Sequence, residues 1–285
     1  MIKTKRRKEF LRKLIIYTGL TLFAVFVLFP FAIMLISSLK HKEETIGSFT
    51  WWPKMGFTLR GFWNAFEKVE SSTSIVEGFF NTLWIIIPPT VLGLLTSTLS
   101  AYAFAKMRFR GKNIMFGLLI ATMMVPGIAT LVPSYIIWDY LGITVSAPFV
   151  PLMIPGMFGA AACVFFMRQA IYAIPDSVIE ASRIDGLGPF GVFVKIVLPL
   201  IKPALLSQGV LGFVGGYNDY FGPLIYLKSD YQTLQIAVSV FSDRYSGDWP
   251  SILAANIVAI IPTILIYIFV QKYFIEGITA GGEKG

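Results

Sequence analysis

From Leu14 to Ser37 the chain runs 24 residues without a charge. At 1.5 Å per helical residue, such a run crosses the roughly 30 Å hydrocarbon core of a bilayer with some tilt. Nothing else in the sequence constrains the fold as strongly. Lipid offers no water to satisfy a backbone, so only helices and closed barrels survive there. A basic stretch precedes the run: Lys3, Lys5, Arg6, Arg7, Lys8, Arg12 and Lys13. Secretory signal peptides share that layout, but their apolar segment is about 7–15 residues long. The run therefore reads as a retained first span. Further apolar runs lie at about Phe79–Ala105, Ile114–Ile137, Ile143–Met167, Ala204–Leu227 and Ile252–Phe274, each uncharged except near its ends. The expected fold is an all-α membrane protein with six transmembrane helices.

Composition agrees: 55% of the 285 residues are hydrophobic and 14% are charged, against about 25% charged in soluble domains. The net charge of +8 would suit nucleic acid, but its distribution argues otherwise. With the N-terminus inside, 17 of the 24 Lys and Arg fall on cytoplasmic segments and 7 on outer ones. That asymmetry is the positive-inside pattern, and it predicts both termini in the cytoplasm and contact with lipid rather than nucleic acid. The expected organisation is a basic tail over 1–13 and a first span with an outer loop over 14–78. A five-span core follows over 79–274, then a cytoplasmic tail over 275–285. The single cysteine, Cys163, excludes an intramolecular disulfide, and the single histidine, His41, has no companion ligand for a metal.

One polar stretch interrupts the apolar pattern, from Pro175 to Pro203. It carries Asp176, Glu180, Arg183, Asp185, Lys195 and Lys202, so it belongs outside the lipid core. Ser177 and Glu180 have the spacing of a capping box, which predicts a helix starting there. Val178, Ile179, Ala181 and Ile184 recur at helical spacing, and Gly186 supplies the permissive residue past the helix end. Gly188-Pro189 then turns the chain.

Glu180-Ala181-Ser182, Asp185-Gly186 and Ile196-x-Leu198-Pro199 resemble the EAA loop of ABC-importer permeases, whose pattern is E-A-A, three residues, G, nine residues, I-x-L-P. Ser182 replaces the second Ala, small for small. The wider likeness covers nearly the whole chain and is to the second, shorter permease of the maltose-permease-like carbohydrate branch. It implies a type I ABC importer permease architecture in a bacterial or archaeal cytoplasmic (inner) membrane. It also implies that Glu180, Ala181, Ser182, Asp185, Gly186, Ile196, Leu198 and Pro199 couple the chain to an ATPase dimer. ATP and Mg would be bound by that ATPase, with no cofactor in this chain. A second permease chain and an extracytoplasmic solute-binding protein are the other implied partners.

Elsewhere the residues leave alternatives open. Pro88-Pro89 predicts a kink in the second span. Pro148, Pro151, Pro155, Gly156 and Gly159 in the fourth fit a translocation path or close helix packing. Tyr217-Asn218-Asp219-Tyr220-Phe221-Gly222-Pro223-Leu224 resembles the W-N-D/E-F-x-x-P-L run of sugar permeases. Asp219 is an acid inside an apolar run, so Tyr217, Asn218 and Asp219 are candidates for the path. Tyr231, Phe241, Tyr245 and Trp249 of the last outer loop suit a membrane belt, and the resemblance implies contact with the binding protein. The aromatics Trp51, Trp52, Phe57, Phe62, Trp63 and Phe66 of the first outer loop fit an interfacial belt or an external protein. The tail from Glu276 to Gly285 resembles a segment that in the family reaches between the ATPase subunits.

No G-x-x-x-x-G-K-[ST] occurs in the sequence, and no metal cluster or nucleophile–base pair is recognisable. A secondary transporter would need intramembrane charges or an inverted repeat, which the sequence does not show. The reading is therefore a permease that moves sugars or oligosaccharides on energy borrowed from a separate ATPase, with another solute such as glycerol phosphate as the alternative.

Overall fold

The computed structural model describes residues 2–45, 50–67, 73–228 and 231–282, with side chains described over 9–45, 50–67, 73–228 and 231–271. Every regular element among the described residues is helical. In chain order these are α1 (Ile2–Ser38), α2 (Arg60–Phe66), α3 (Ile75–Lys106), α4 (Lys112–Thr122), α5 (Gly127–Tyr140) and α6 (Ile143–Ser146). Next come α7 (Val150–Met157), α8 (Ala161–Tyr172), α9 (Asp176–Ile184) and α10 (Pro189–Val192). A π-turn (Phe193–Val197) leads into α11 (Leu198–Leu200), α12 (Lys202–Tyr217), α13 (Phe221–Tyr226), α14 (Leu234–Arg244) and α15 (Trp249–Gly282).

Among the described residues, four stretches are long and apolar enough to cross a bilayer: Glu9–Ser38, Ile75–Lys106, Val150–Tyr172 and Trp249–Gln271. Two bent pairs, α4 with α5 at 95° and the Pro189–Leu200 segment with α12 at 80°, raise the number to as many as six. The run expected as a span over Ile114–Ile137 is thus bent in its middle. Met123, Met124 and Val125 tighten into i−3 hydrogen bonds, and Pro126, in an extended conformation, cannot continue the helix. By contrast, α3 passes through Pro88 and Pro89 as one element rather than two. It also starts earlier than the expected Phe79. Ser74 accepts from the Glu77 N–H while the Glu77 carboxylate accepts from the Ser74 N–H, a complete capping box.

The fourth span begins at Val150 and reaches Tyr172, five residues past its expected end. Arg168 does not stop it, because its guanidinium lies over Phe116 (4.2 Å) and its Nε donates to the Phe104 carbonyl. The span breaks at Phe158–Ala160, where Gly159 has φ +92°. The Thr96 hydroxyl donates to the Met157 carbonyl (2.9 Å) and the Ser97 hydroxyl accepts from the Ala160 N–H (3.2 Å). Side chains of α3 thereby satisfy the backbone that the break frees, which lets it persist in lipid.

The chain divides into two compact units, 1–67 with 238–259, and 68–237 with 260–285. In the first, Glu44 ties its loop down by accepting from the Lys54 and Met55 N–H groups, and Trp51 packs edge-on against Phe29. Asn64 donates to Ser251, whose hydroxyl donates to Asp248. The second unit holds the features developed below. Its tightest approach is α3 on α7: a Cβ on Gly93 would lie 2.2 Å from the Gly156 carbonyl oxygen.

Candidate functional site

The polar stretch folds as a helix–turn–helix whose inner side is part of a core. Ile179, Val192, Phe193, Val197 and Ile201 are buried together with Ala101, Tyr102 and Phe104 of α3 and Val164, Met167 and Ile171 of α8. The loop is therefore packed onto the ends of two membrane helices. Lys106, at the last turn of α3, adds a polar tie: its Nζ donates to the Ile174 carbonyl (2.6 Å) and to Asp176 Oδ1 (2.7 Å). That hydrogen bond and the lysine charge hold the Asp176 carboxyl below the usual carboxylate range.

The expected capping box at Ser177 and Glu180 does not form. Pro175 (ψ 138°) takes the N-cap position and the helix begins at Asp176, two residues too early for Ser177 to cap it. Glu180 is left exposed and free of that duty. The C-terminal end is as expected. Gly186 has φ +87°, Leu187 donates to the Ser182 carbonyl and Gly186 to that of Arg183, the bonding of a Schellman turn.

The EAA-like residues divide between two faces. Glu180, Ala181, Asp185, Gly186 and Pro199 are exposed. Ser182 is buried, its hydroxyl donating to the Ile179 carbonyl (2.7 Å), so it belongs to the inner face, where only a small side chain fits. Ile196 and Leu198 are half-buried against the core. The exposed face also carries apolar side chains, Val178, Ile184 (87% exposed) and Phe190 (70% exposed), interleaved with Arg183. The π-turn lies just before Pro199: Leu198 donates five residues back to Phe193, which widens the turn ahead of a residue without an N–H.

A second feature lies among the spans. Facing stripes of α3, α7, α8 and α12 leave a cleft of about 350 Å³. Its wall includes Ile86, Thr90, Leu94, Ser97, Leu152, Gly156, Cys163, Gln208, Gly212, Asp219 and Thr233. Of the three residues proposed for a path, Asp219 alone lines it. Its carboxylate also accepts from the Gly222 N–H (3.2 Å), capping α13. Tyr217 does not face the cleft: it is 1% exposed and stacked on Phe213 at 5.6 Å. Asn218 turns its amide back onto the Val214 carbonyl. Gln208 and Thr233 were not singled out from the sequence. The signal for Gln208 was there, a carboxamide in the middle of an uncharged run; Thr233 had none.

The last outer segment is not a loop throughout. Leu234, Ala237, Val238 and Phe241 recur at i, i+3, i+4 and i+7 and form the buried stripe of α14. Phe241 is therefore 4% exposed and stacks on Tyr245 at 4.3 Å, which removes it from any contact surface. Tyr231 and Trp249 are exposed. The tail from Glu276 lies outside the residues whose side chains are described.

Among the described residues, all-helical structure with four to six candidate spans, and a charged turn packed on the ends of two of the helices, defines a multi-pass membrane component. The chain belongs to the binding-protein-dependent transport system inner membrane component family, whose model matches residues 91–279. It is 32% identical over 278 residues to the arabinooligosaccharides transport system permease protein AraQ of Bacillus subtilis, covering 94% of this chain and 95% of that one. With the lactose transport system permease protein LacG of Rhizobium radiobacter it shares 28% over 279 residues, covering 97% and 98%. In fold it is similar to a chain of a bacterial ABC transporter involved in the import of alginate, with a TM-score of 0.75, 22% identity and coverage of 94% and 98%. The protein is thus a permease of an ABC importer and resides in the inner membrane.

Proposed function

We propose that the chain is the six-span permease of a sugar or oligosaccharide importer and couples to a cytoplasmic ATPase through Glu180, Ala181, Asp185, Gly186 and the apolar residues beside them. Both termini are cytoplasmic in this reading, which the excess of Lys and Arg on the inner segments supports. The observation that carries it is the exposed face of α9. Ile184 on α9 and Phe190 on α10 are exposed, as are Glu180 and Arg183, on a loop that shares a core with α3 and α8. Exposed large apolar side chains interleaved with charged ones make a surface suited to a partner. ATP and Mg bind to the covering ATPase, and closure of its dimer moves the loop and with it the spans. Ser182 supports this arrangement from the buried side, and Ile196, Leu198 and Pro199 shape the second arm. A second permease chain completes the membrane part. An extracytoplasmic binding protein delivers the solute to the outer face, where Tyr231, Tyr245 and Trp249 offer rings. AraQ and LacG, both named for saccharide transport, support a saccharide as the solute.

The test is to purify the chain gently with its partners and measure solute-stimulated ATPase activity in proteoliposomes. Wild-type complex should contain a nucleotide-binding subunit and a second permease. Glu180→Gln should assemble poorly with the ATPase or lose solute stimulation by tenfold or more (on the order of 1.4 kcal/mol per tenfold). A homogeneous chain that transports without an ATPase would overturn the proposal.

A further inference from the structure

Thr233 occupies the N-cap position of α14, yet its hydroxyl, on a residue 2% exposed, has no hydrogen-bond partner. A buried hydroxyl left unpaired costs about 1–3 kcal/mol, and Thr233 is one of the residues that line the cleft among the spans. Gln208 lies on the same wall. It is six residues along α12 from Lys202, about 9 Å into the span from its first residue. The cleft's volume of about 350 Å³ falls within the range of small-molecule sites. Its polar groups are hydroxyls, one carboxamide and one carboxylate, set among Ile86, Leu94, Leu152 and Pro223. Among the described residues, no Lys or Arg lines it.

We propose that this cleft is the chain's own solute subsite, in which Gln208, Thr233 and Asp219 hydrogen-bond the hydroxyls of a neutral saccharide while the apolar wall takes the C–H face of a sugar ring. The inference rests on the sugar-importer reading and adds to it a position and a chemical class. The carboxamide both donates and accepts, which suits a hydroxyl. Asp219 accepts from hydroxyls and repels a second carboxylate, so an acidic sugar is disfavoured. The apolar remainder keeps the site from holding its cargo tightly, as a translocation step requires. Cys163, the only cysteine of the chain, lines the same wall and makes it a reporter.

The experiment uses the intact importer with its partners in proteoliposomes. Gln208→Leu and Thr233→Val should each raise KM for uptake of arabinotriose about 2- to 10-fold, in complexes that assemble with normal subunit stoichiometry. In wild-type complex, alkylation of Cys163 by N-ethylmaleimide, read by peptide mass spectrometry, should be slowed by arabinotriose and not by trigalacturonate. Unchanged KM in both variants overturns the subsite while leaving the importer reading intact. Equal protection by trigalacturonate overturns the neutral class. Absence of any ATP-driven saccharide uptake removes the importer reading for sugars, and this inference with it.

Discussion

Gly186 and Gly93 are needed for different reasons, and substitution should separate them. Nothing lies within 4 Å of a Cβ built on Gly186, so only its φ of +87° resists a side chain. Gly186→Ala should cost roughly 1–2 kcal/mol, and Gly186→Asn less, because Asn tolerates the left-handed region. At Gly93 the backbone is ordinary, but the new Cβ would meet the Gly156 carbonyl at 2.2 Å. Since the obstacle is backbone, α7 must move, and Gly93→Ala should destabilise by about 1–3 kcal/mol. Thermal melting of the purified complex checks both, and only Gly186 should show partial rescue by Asn. At Asp176 the sign follows from the lysine beside it. A carboxyl held below its ordinary range contributes stability that is complete above the ordinary value and is lost as pH falls through the lower folded one. Melting should therefore show no contribution from the Lys106–Asp176 tie to pH dependence between pH 6 and 8. Asp176→Asn should lower stability across that neutral range and flatten the acid-side loss, so that variant and wild type converge at low pH.

Among the elements, the sequence was most readable where one physical requirement acts alone. Uncharged length located the runs that become α1, α3, the α7–α8 span and α15, because a bilayer makes length decisive. The breaks were less readable. Pro88-Pro89 stays within one helix while Pro126 ends one, and the difference lies in tertiary surroundings that no local pattern records. The capping signal misled at Ser177 because Pro175 had already started the helix, whereas the same spacing at Ser74 and Glu77 went unread and is a real box. On the polar stretch from Pro175 to Pro203, the motif gave the turn at Gly186 but could not tell that Ser182 faces inward and Ile184 outward. The α14 stripe was legible as i, i+3, i+4, i+7 and was hidden only by reading the segment as a loop. The break at Phe158–Ala160 yields a prediction of its own. Ser97→Ala leaves the Ala160 N–H unpaired in a membrane span and should lower stability by about 1–3 kcal/mol. Cys163, on the cleft wall next to this break, should then become easier to alkylate.

For the molecule as a transporter, the consequential fact is that the exposed turn and the membrane helices share one core. If the exposed turn is the proposed ATPase-docking surface, a loose tether would let it bind and transmit nothing. Here Ile179 (3% exposed) faces inward from the same helix that turns Glu180 and Ile184 outward, and it joins the cluster formed by Met167, Ile171, Val192 and Val197. Displacing α9 must therefore displace α3 and α8, since packed interiors transmit strain instead of absorbing it. Shrinking the shared side chain should weaken the transmission and spare the docking face. Ile179→Ala creates a cavity worth about 2–5 kcal/mol of local packing, while every exposed residue of α9 keeps its identity. The expected phenotype is uncoupling: the complex still assembles and hydrolyses ATP, but solute moved per ATP falls several-fold. Solute uptake and phosphate release measured together in one proteoliposome preparation give that ratio directly. A variant that lost assembly and ATP turnover together would show that Ile179 serves the docking face, and an unchanged ratio would show that force reaches the spans by a route outside this core.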